Sequence, residues 1–354
     1  MDLKINRPEP STPLLPLSIS QDNMSHKEIL DQLYQGKPTL LSGSYNHGLS
    51  ILNYLNSHLN KIHNTDTYKE QRKLRLEYKK LSNLIFVRIV SYKIALTKAP
   101  FIGWLQKLYP DQLDFMLSLP QIQGLNSAWQ WYENGIHIPG LRNKIHPYYG
   151  VYFPTRFEHL ILFDTWLKHY AGLKKSAIDV GIGSGILSLF IIQHGFQKSY
   201  GTDINPNAIL GMKEMMGETK LSRKIELEHA YLFGKCEKQT ELIVFNPPWL
   251  PSSHILSRLD EAIFYPENLF SDFFERAQKL LLPEGRILLL FSNLGQITDE
   301  NTSHPIENEL KEEKRFDLER CYKKKVKSNS KFENQNWRSL EVVELWVLKH
   351  KTPS

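Results

Sequence analysis

The sequence predicts a two-part α/β protein, in which a mainly helical first part precedes a doubly wound, mostly parallel sheet of seven strands. Three observations carry this expectation. From about residue 151 short apolar runs alternate with amphipathic helices; three glycines follow the first of those runs directly; and two strand candidates close the chain. Alternation at this spacing is what parallel strands joined by helices on both sheet faces require.

In order along the chain, residues 1–24 read as a flexible leader, because prolines at 8, 10, 13 and 16 interrupt any apolar stretch. Residues 25–150 read as a mainly helical domain ending in a connector. Residues 69–81 put Leu74, Tyr78 and Leu81 at spacings of four and three with charges between them, and residues 82–98 continue as a denser apolar helix that Pro100 ends. Gly135, Pro139, Gly140, Pro147 and Gly150 then punctuate short apolar runs, the pattern of a hairpin or extended connector. The domain at 151–354 opens with an amphipathic helix over 157–170. Strands are expected at 176–180, 199–202, 225–229, 242–245 and 286–292, with helices at 186–193, 207–216 and 269–282. Segments 321–327 and 340–348 close the sheet as an antiparallel pair. The lysines at 323, 324, 325 and 327 suit an edge strand, where charge blocks unwanted pairing, better than a nucleic-acid patch.

Composition narrows the class. Hydrophobic residues make up 41% of the 354, and charged residues 23%, which excludes wholesale disorder. Two cysteines exclude a disulfide framework or a four-cysteine zinc site and fit a reducing, cytoplasmic setting. No run approaches the length of a membrane span, so no membrane partner is expected. The thirteen histidines show no metal-ligand pairing, and no metal is expected; His254 reads as a loop residue rather than a base. The net charge of +6 lies wholly in the first 150 residues, which hold 17 Lys and Arg against 11 Asp and Glu. That excess serves solubility or attracts an acidic or phosphate-bearing partner.

Three motifs carry chemistry. Asp179-Val180-Gly181-Ile182-Gly183-Ser184-Gly185 follows a strand and opens a helix. Its alternate glycines let the backbone turn tightly against a ligand. The GxGxG spacing departs from the GxGxxG of a dinucleotide site, and Asp179 at the loop would repel a pyrophosphate while tolerating a cation. A dehydrogenase is thereby disfavoured. Asp203, in Gly201-Thr202-Asp203-Ile204-Asn205-Pro206, ends the second strand, where an acid accepts hydrogen bonds from both ribose hydroxyls of an adenosine ligand. Asn246-Pro247-Pro248-Trp249 follows the fourth strand. Amide and aromatic-amine nitrogens are poor nucleophiles; the Asn246 oxygen and the Pro247 carbonyl can hold their hydrogens, and Trp249 can stack on the planar group.

On these residues the segment from about 151 to 350 resembles the class I S-adenosylmethionine-dependent methyltransferases, with their Rossmann-like sheet. It is most similar to the small methyltransferase-domain family, which includes release-factor glutamine and adenine-amine enzymes. The resemblance implies S-adenosylmethionine as cofactor. It implies that Asp179, Gly181, Gly183 and Gly185 line its methionine end, that Asp203 with Asn205 holds the ribose, and that Asn246 to Trp249 hold the target nitrogen. Thr155 and Arg156 lie in a stretch loosely similar to the Pro-Arg-Pro-Glu-Thr segment of the glutamine enzymes, which implies contact with cofactor or substrate. Where the family often has an aspartate that reads adenine, this chain has Ala230-Tyr231-Leu232-Phe233; either Tyr231 stacks on the base or the backbone reads it. The expected acceptor is a macromolecule, protein or RNA/DNA, selected by the first 150 residues. A small-molecule or peptide acceptor, or a non-catalytic cofactor-binding scaffold, are the alternatives. Oligomeric state is not set by the sequence.

Overall fold

A computed structural model describes residues 3–11, 17–63, 68–217, 219–251, 264–298, 302–326 and 340–351. His254 and Lys327 lie outside the described residues. The chain divides into two compact units, Arg7–Asn134 on one hand and Met1–Asn6 with Gly135–Ser354 on the other.

The first unit is rich in helix but organised by a sheet. Strands β1 (Ser18–Ser20), β2 (Thr39–Leu41) and β3 (Ile85–Val90) run parallel, and β4 (Lys93–Ile94) and β5 (Asp114–Ser118) pair antiparallel with β3. Helices α1 (His26–Tyr34), α2 (Tyr45–Ile62), α3 (Tyr68–Ser82), α4 (Trp104–Leu108) and α5 (Leu119–Asn134) complete it. Two expectations are corrected here. The leader at 1–24 contains β1. The helix expected over 82–98 is instead the hairpin of β3 and β4. Ile85, Val87, Ile89 and Val90 are β-branched and stiff at χ1, which suits a pleated strand. At the end of β3 burial alternates, with Val87 and Ile89 inside and Arg88 and Val90 outside, the two-residue period of a strand. Ser91 and Tyr92, both at positive φ, make the tight turn into β4.

The unit boundary also falls earlier than residue 150. The connector is the expected hairpin, with Ile136 and Ile145 bridged antiparallel. Its apolar residues Ile136, Ile138, Leu141 and Ile145 are buried in one core with α6 (Glu158–His169) and α7 (Ile186–Gln193), so it folds with the second unit.

The second unit contains β6 (Ser176–Val180), β7 (Lys198–Asp203), α8 (Pro206–Met216), α9 (Lys220–Lys224), β8 (Ile225–His229), β9 (Thr240–Phe245), the short parallel pair β10 (Leu250–Pro251) and β11 (Phe264–Tyr265), α10 (Leu269–Leu280), β12 (Leu281–Ser292), β13 (Phe316–Lys325) and β14 (Val342–His350). Its seven-stranded sheet has the order β13-β14-β12-β9-β6-β7-β8. The five strands from β12 to β8 are parallel, and β14 and β13 close the sheet antiparallel, as expected. Side chains of the central strands alternate between two cores. Ile178, Val180, Ile243, Phe245, Leu289 and Phe291 meet α10, while Ala177, Leu242, Val244, Leu288 and Leu290 meet α6 and α7. Burial on both faces is why these strands read as continuous apolar runs. Among the described residues, no helix is long and apolar enough to cross a membrane, and no cluster of metal-ligating side chains occurs.

Candidate functional site

In a doubly wound sheet, ligands lie beyond the carboxyl ends of the strands, where the strand order reverses. Here β6 lies between β9 and β7, and the loops after β6, β7, β8 and β9 border one cavity of about 520 Å³. Gly181, Gly183, Asp203, Asn205, Tyr231, Asn246 and Pro248 all line it, so residues spread over 68 positions of sequence meet at one place.

The glycine loop turns through positive φ at Gly181, Gly183 and Gly185, and the Gly183 N–H donates to Asp203 Oδ2 at 2.8 Å. Gly185 caps α7 at φ 80°, with Met212 packed directly behind it: a Cβ there would stand 2.3 Å from the Met212 sulfur. Gly185 therefore supports the loop and does not line the cavity. Gly185→Ala is expected to destabilise the protein by roughly 2 kcal/mol, from left-handed backbone strain and repacking of Met212. Urea unfolding checks this, and an unchanged midpoint would contradict it.

Asp179 is not at the ligand face, contrary to the expectation from the motif. Its position in β6 shares the parity of Ala177, so its side chain points towards α7 rather than the cavity. Fully buried, its Oδ2 accepts from the Ser188 backbone N–H at 2.9 Å and the Ser188 hydroxyl at 2.7 Å, while Oδ1 has no hydrogen-bond partner among the described residues. Burial pushes the Asp179 carboxyl up to about 7 against the opposing Ser188 hydrogen bonds.

Asp203 does face the cavity. Its Oδ1 accepts from the Asn205 N–H at 2.7 Å and its Oδ2 from Gly183, which leaves each oxygen a further lone pair. Burial raises its carboxyl above the ordinary range, with those backbone donors opposing. Asn205 is occupied structurally: Oδ1 caps α8 at the Asn207 N–H, and Nδ2 donates to the Gly150 carbonyl at 2.8 Å. Tyr231 is held by its hydroxyl, which donates to Asp272 Oδ2 at 3.1 Å; burial and that bond push the phenol up to about 12, so it stays protonated.

In the proline turn, Asn246 and Pro248 border the cavity and Pro247 is buried. Trp249 is not free to stack on a ligand. Its ring packs against the core, edge-on to His159 at 5.4 Å between centroids, and its Nε1–H is shared by Asn246 Oδ1 at 3.2 Å and the Leu290 carbonyl at 3.3 Å. The indole thus orients the Asn246 amide. Thr155 and Arg156 do not line the cavity: Thr155 is exposed, and Arg156 is paired with buried Glu341 at 2.7 Å. Tyr152 and Pro154 of the same stretch, residues 151–158, line it instead, together with His159 just beyond that stretch. The apolar spacing of 157–170 gave the only signal for His159, which stands one turn from Phe163 on the buried helix face.

A profile of the ribosomal protein L11 methyltransferase (PrmA) family matches residues 162–247. A putative protein N5-glutamine methyltransferase of Methanocaldococcus jannaschii is 34% identical over 120 residues, covering 33% of this chain and 56% of that protein. A tRNA1(Val) (adenine(37)-N6)-methyltransferase of Shewanella halifaxensis is 25% identical over 122 residues, 33% of this chain and 50% of that one. The chain thus spans about half the length of these two relatives. The crystal structure of a ribosomal protein L11 methylase from Lactobacillus delbrueckii subsp. bulgaricus aligns at 18% identity and a TM-score of 0.40, over 62% of this chain and 93% of that one. The second unit is thus a doubly wound α/β domain with loops gathered at one sheet edge, and its residues 162–247 are similar in sequence to the ribosomal protein L11 methyltransferase family.

Proposed function

We propose that the chain is an S-adenosylmethionine-dependent N-methyltransferase that modifies an amide or aromatic amine nitrogen of a macromolecule, a protein glutamine or a nucleic-acid adenine. The observation that carries this reading is that Asp203 and Asn246 border one cavity, with the Asn246 amide oriented by Trp249. The residues present fit the cofactor. The cavity has the size of a nucleoside with an amino-acid arm, Gly181 and Gly183 leave backbone at its wall, and Asp203 offers lone pairs for two ribose hydroxyls. Tyr231, tethered by Asp272, is available to flank the base.

When bound, S-adenosylmethionine supplies an already activated methyl group, so the protein's contribution is positioning. Asn246 Oδ1, with one lone pair on Trp249, has a second for an N–H of the acceptor, and a backbone carbonyl of the same turn is the proposed partner of the other N–H. The nitrogen lone pair then lies out of that hydrogen-bonded plane, where it can react. Proline fixes φ and donates no hydrogen bond, so the turn presents carbonyls rigidly. The basic first unit is the proposed reader of the macromolecule. The free thiols of Cys236 and Cys321 fit a reducing, cytoplasmic setting.

Calorimetry tests the cofactor assignment. Micromolar binding of S-adenosylmethionine is expected, with a loss of at least about tenfold in Asp203→Ala, since two charge-assisted hydrogen bonds go with the carboxylate. Equal binding by the variant would sink the ribose assignment. A labelled-methyl screen of cell extract, treated with ribonuclease or protease, then sorts the acceptor; label surviving both treatments points to a small molecule.

A further inference from the structure

His159 is a buried titratable group that the mechanism above does not use. It is the second residue of α6, 2% exposed, and it lines the cavity that Asn246 also lines. Among the described residues, neither Nδ1 nor Nε2 has a hydrogen-bond partner. Leaving a polar group unpaired in an interior is costly, and a phenylalanine would fill a similar space without that cost. His159 and Asn246 also lean on the same indole: Trp249 meets the imidazole edge-on with its ring and holds Asn246 Oδ1 with its Nε1–H.

We propose that His159 is a specificity-determining contact for the acceptor, its ring N–H donating to the lone-pair atom beside the target nitrogen. The proposal rests on the N-methyltransferase reading and deepens it. A carboxamide carries a carbonyl oxygen next to its NH2, and adenine carries a ring nitrogen next to its amine. Asn246 takes an N–H of such a group and His159 serves its neighbouring acceptor atom, a two-point reading of the planar N–C=O or N–C=N unit. An alkylammonium has no such lone pair and brings a charge into an apolar recess, so it is rejected. Burial holds the imidazole down at about 4, so the ring is neutral at physiological pH and keeps one N–H and one bare nitrogen.

The test uses the full chain saturated with S-adenosylhomocysteine, with histidine ring nitrogens labelled for NMR and acetamide, adenosine or n-butylamine added in turn. Acetamide or adenosine is expected to shift the His159 ring resonances, and n-butylamine is not. His159→Phe should weaken binding of the active probe about tenfold, with unchanged or higher melting temperature and unchanged S-adenosylhomocysteine affinity, and His159→Gln should restore part of the loss. The proposal is overturned if n-butylamine shifts the ring equally, if neither planar probe shifts it at the highest soluble concentration, or if His159→Phe binds like the native protein. Failure to bind S-adenosylhomocysteine at all would instead overturn the N-methyltransferase reading, so the two failures are distinguishable.

Discussion

Replacing Asn246 with alanine is expected to slow methyl transfer by about 10²–10³-fold while cofactor affinity changes by less than about twofold. The asymmetry follows from geometry. Asp203 and the glycine loop, the proposed cofactor contacts, belong to β7 and to the turn after β6, whereas Asn246 belongs to the turn after β9. Its amide touches Trp249 and no residue of the glycine loop in the hydrogen-bond network. Losing it removes the acceptor for an N–H of the target, so a delocalised nitrogen is no longer held with its lone pair out of plane. Single-turnover transfer to the acceptor found in the labelling screen, beside calorimetry of the cofactor, measures both halves. Native-like transfer would place the acceptor elsewhere.

Asp179→Asn is expected to make the protein more stable above neutral pH by about 4 kcal/mol and to change it little near pH 4. The carboxyl is raised from an ordinary value of 3.8 to about 7, principally by burial. A group whose folded pKa is raised contributes its stabilisation in full below the unfolded pKa and loses it as pH rises through the folded one. For Asp179 the loss therefore accumulates between about pH 4 and 7. Asparagine keeps the shape, still accepts from Ser188 through its oxygen, and carries no charge to bury. His159 works in the opposite sense. Its imidazole is lowered from 6.5 to about 4, so its contribution is present above the unfolded pKa and lost as pH falls. The two opposing slopes flatten the native profile, but His159 enters native and variant alike, so their difference isolates Asp179. Urea unfolding of both proteins at pH 4 and pH 8 reads it; parallel curves would refute the prediction.

The parallel sheet was legible because β6, β9 and β12 are apolar on both faces and each ends in a loop with distinctive chemistry. The Gly181–Gly185 turn, Asp203 and the Asn246–Trp249 turn were found for that reason. The first unit was misread where a mostly apolar run, Ile85 to Val90 with Arg88 inside it, satisfied helix and strand spacing alike; the pairing of β3 with β2 and β5 decides between them. Asp179 was misplaced because a motif records order along the chain, while the parity of a strand decides which face a side chain meets. Arg156 was drawn towards the ligand by its motif, yet its partner Glu341 lies 185 residues away. His159 was invisible for a different reason: a histidine on an apolar helical face looks like core until the cavity beside it is known.

Asn6 and Asn207 bind each other twice, Asn6 N–H to Asn207 Oδ1 at 2.8 Å and Asn207 Nδ2 to the Asn6 carbonyl at 2.6 Å, within the second unit. During synthesis those partners leave the ribosome 201 residues apart. At about 5–20 residues per second, the first segment waits roughly 10–40 seconds for Asn207 to emerge. Arg7–Asn134 has been translated before then, so the nascent chain can fold its first unit while residues 3–6, which emerge ahead of it, are still without Asn207.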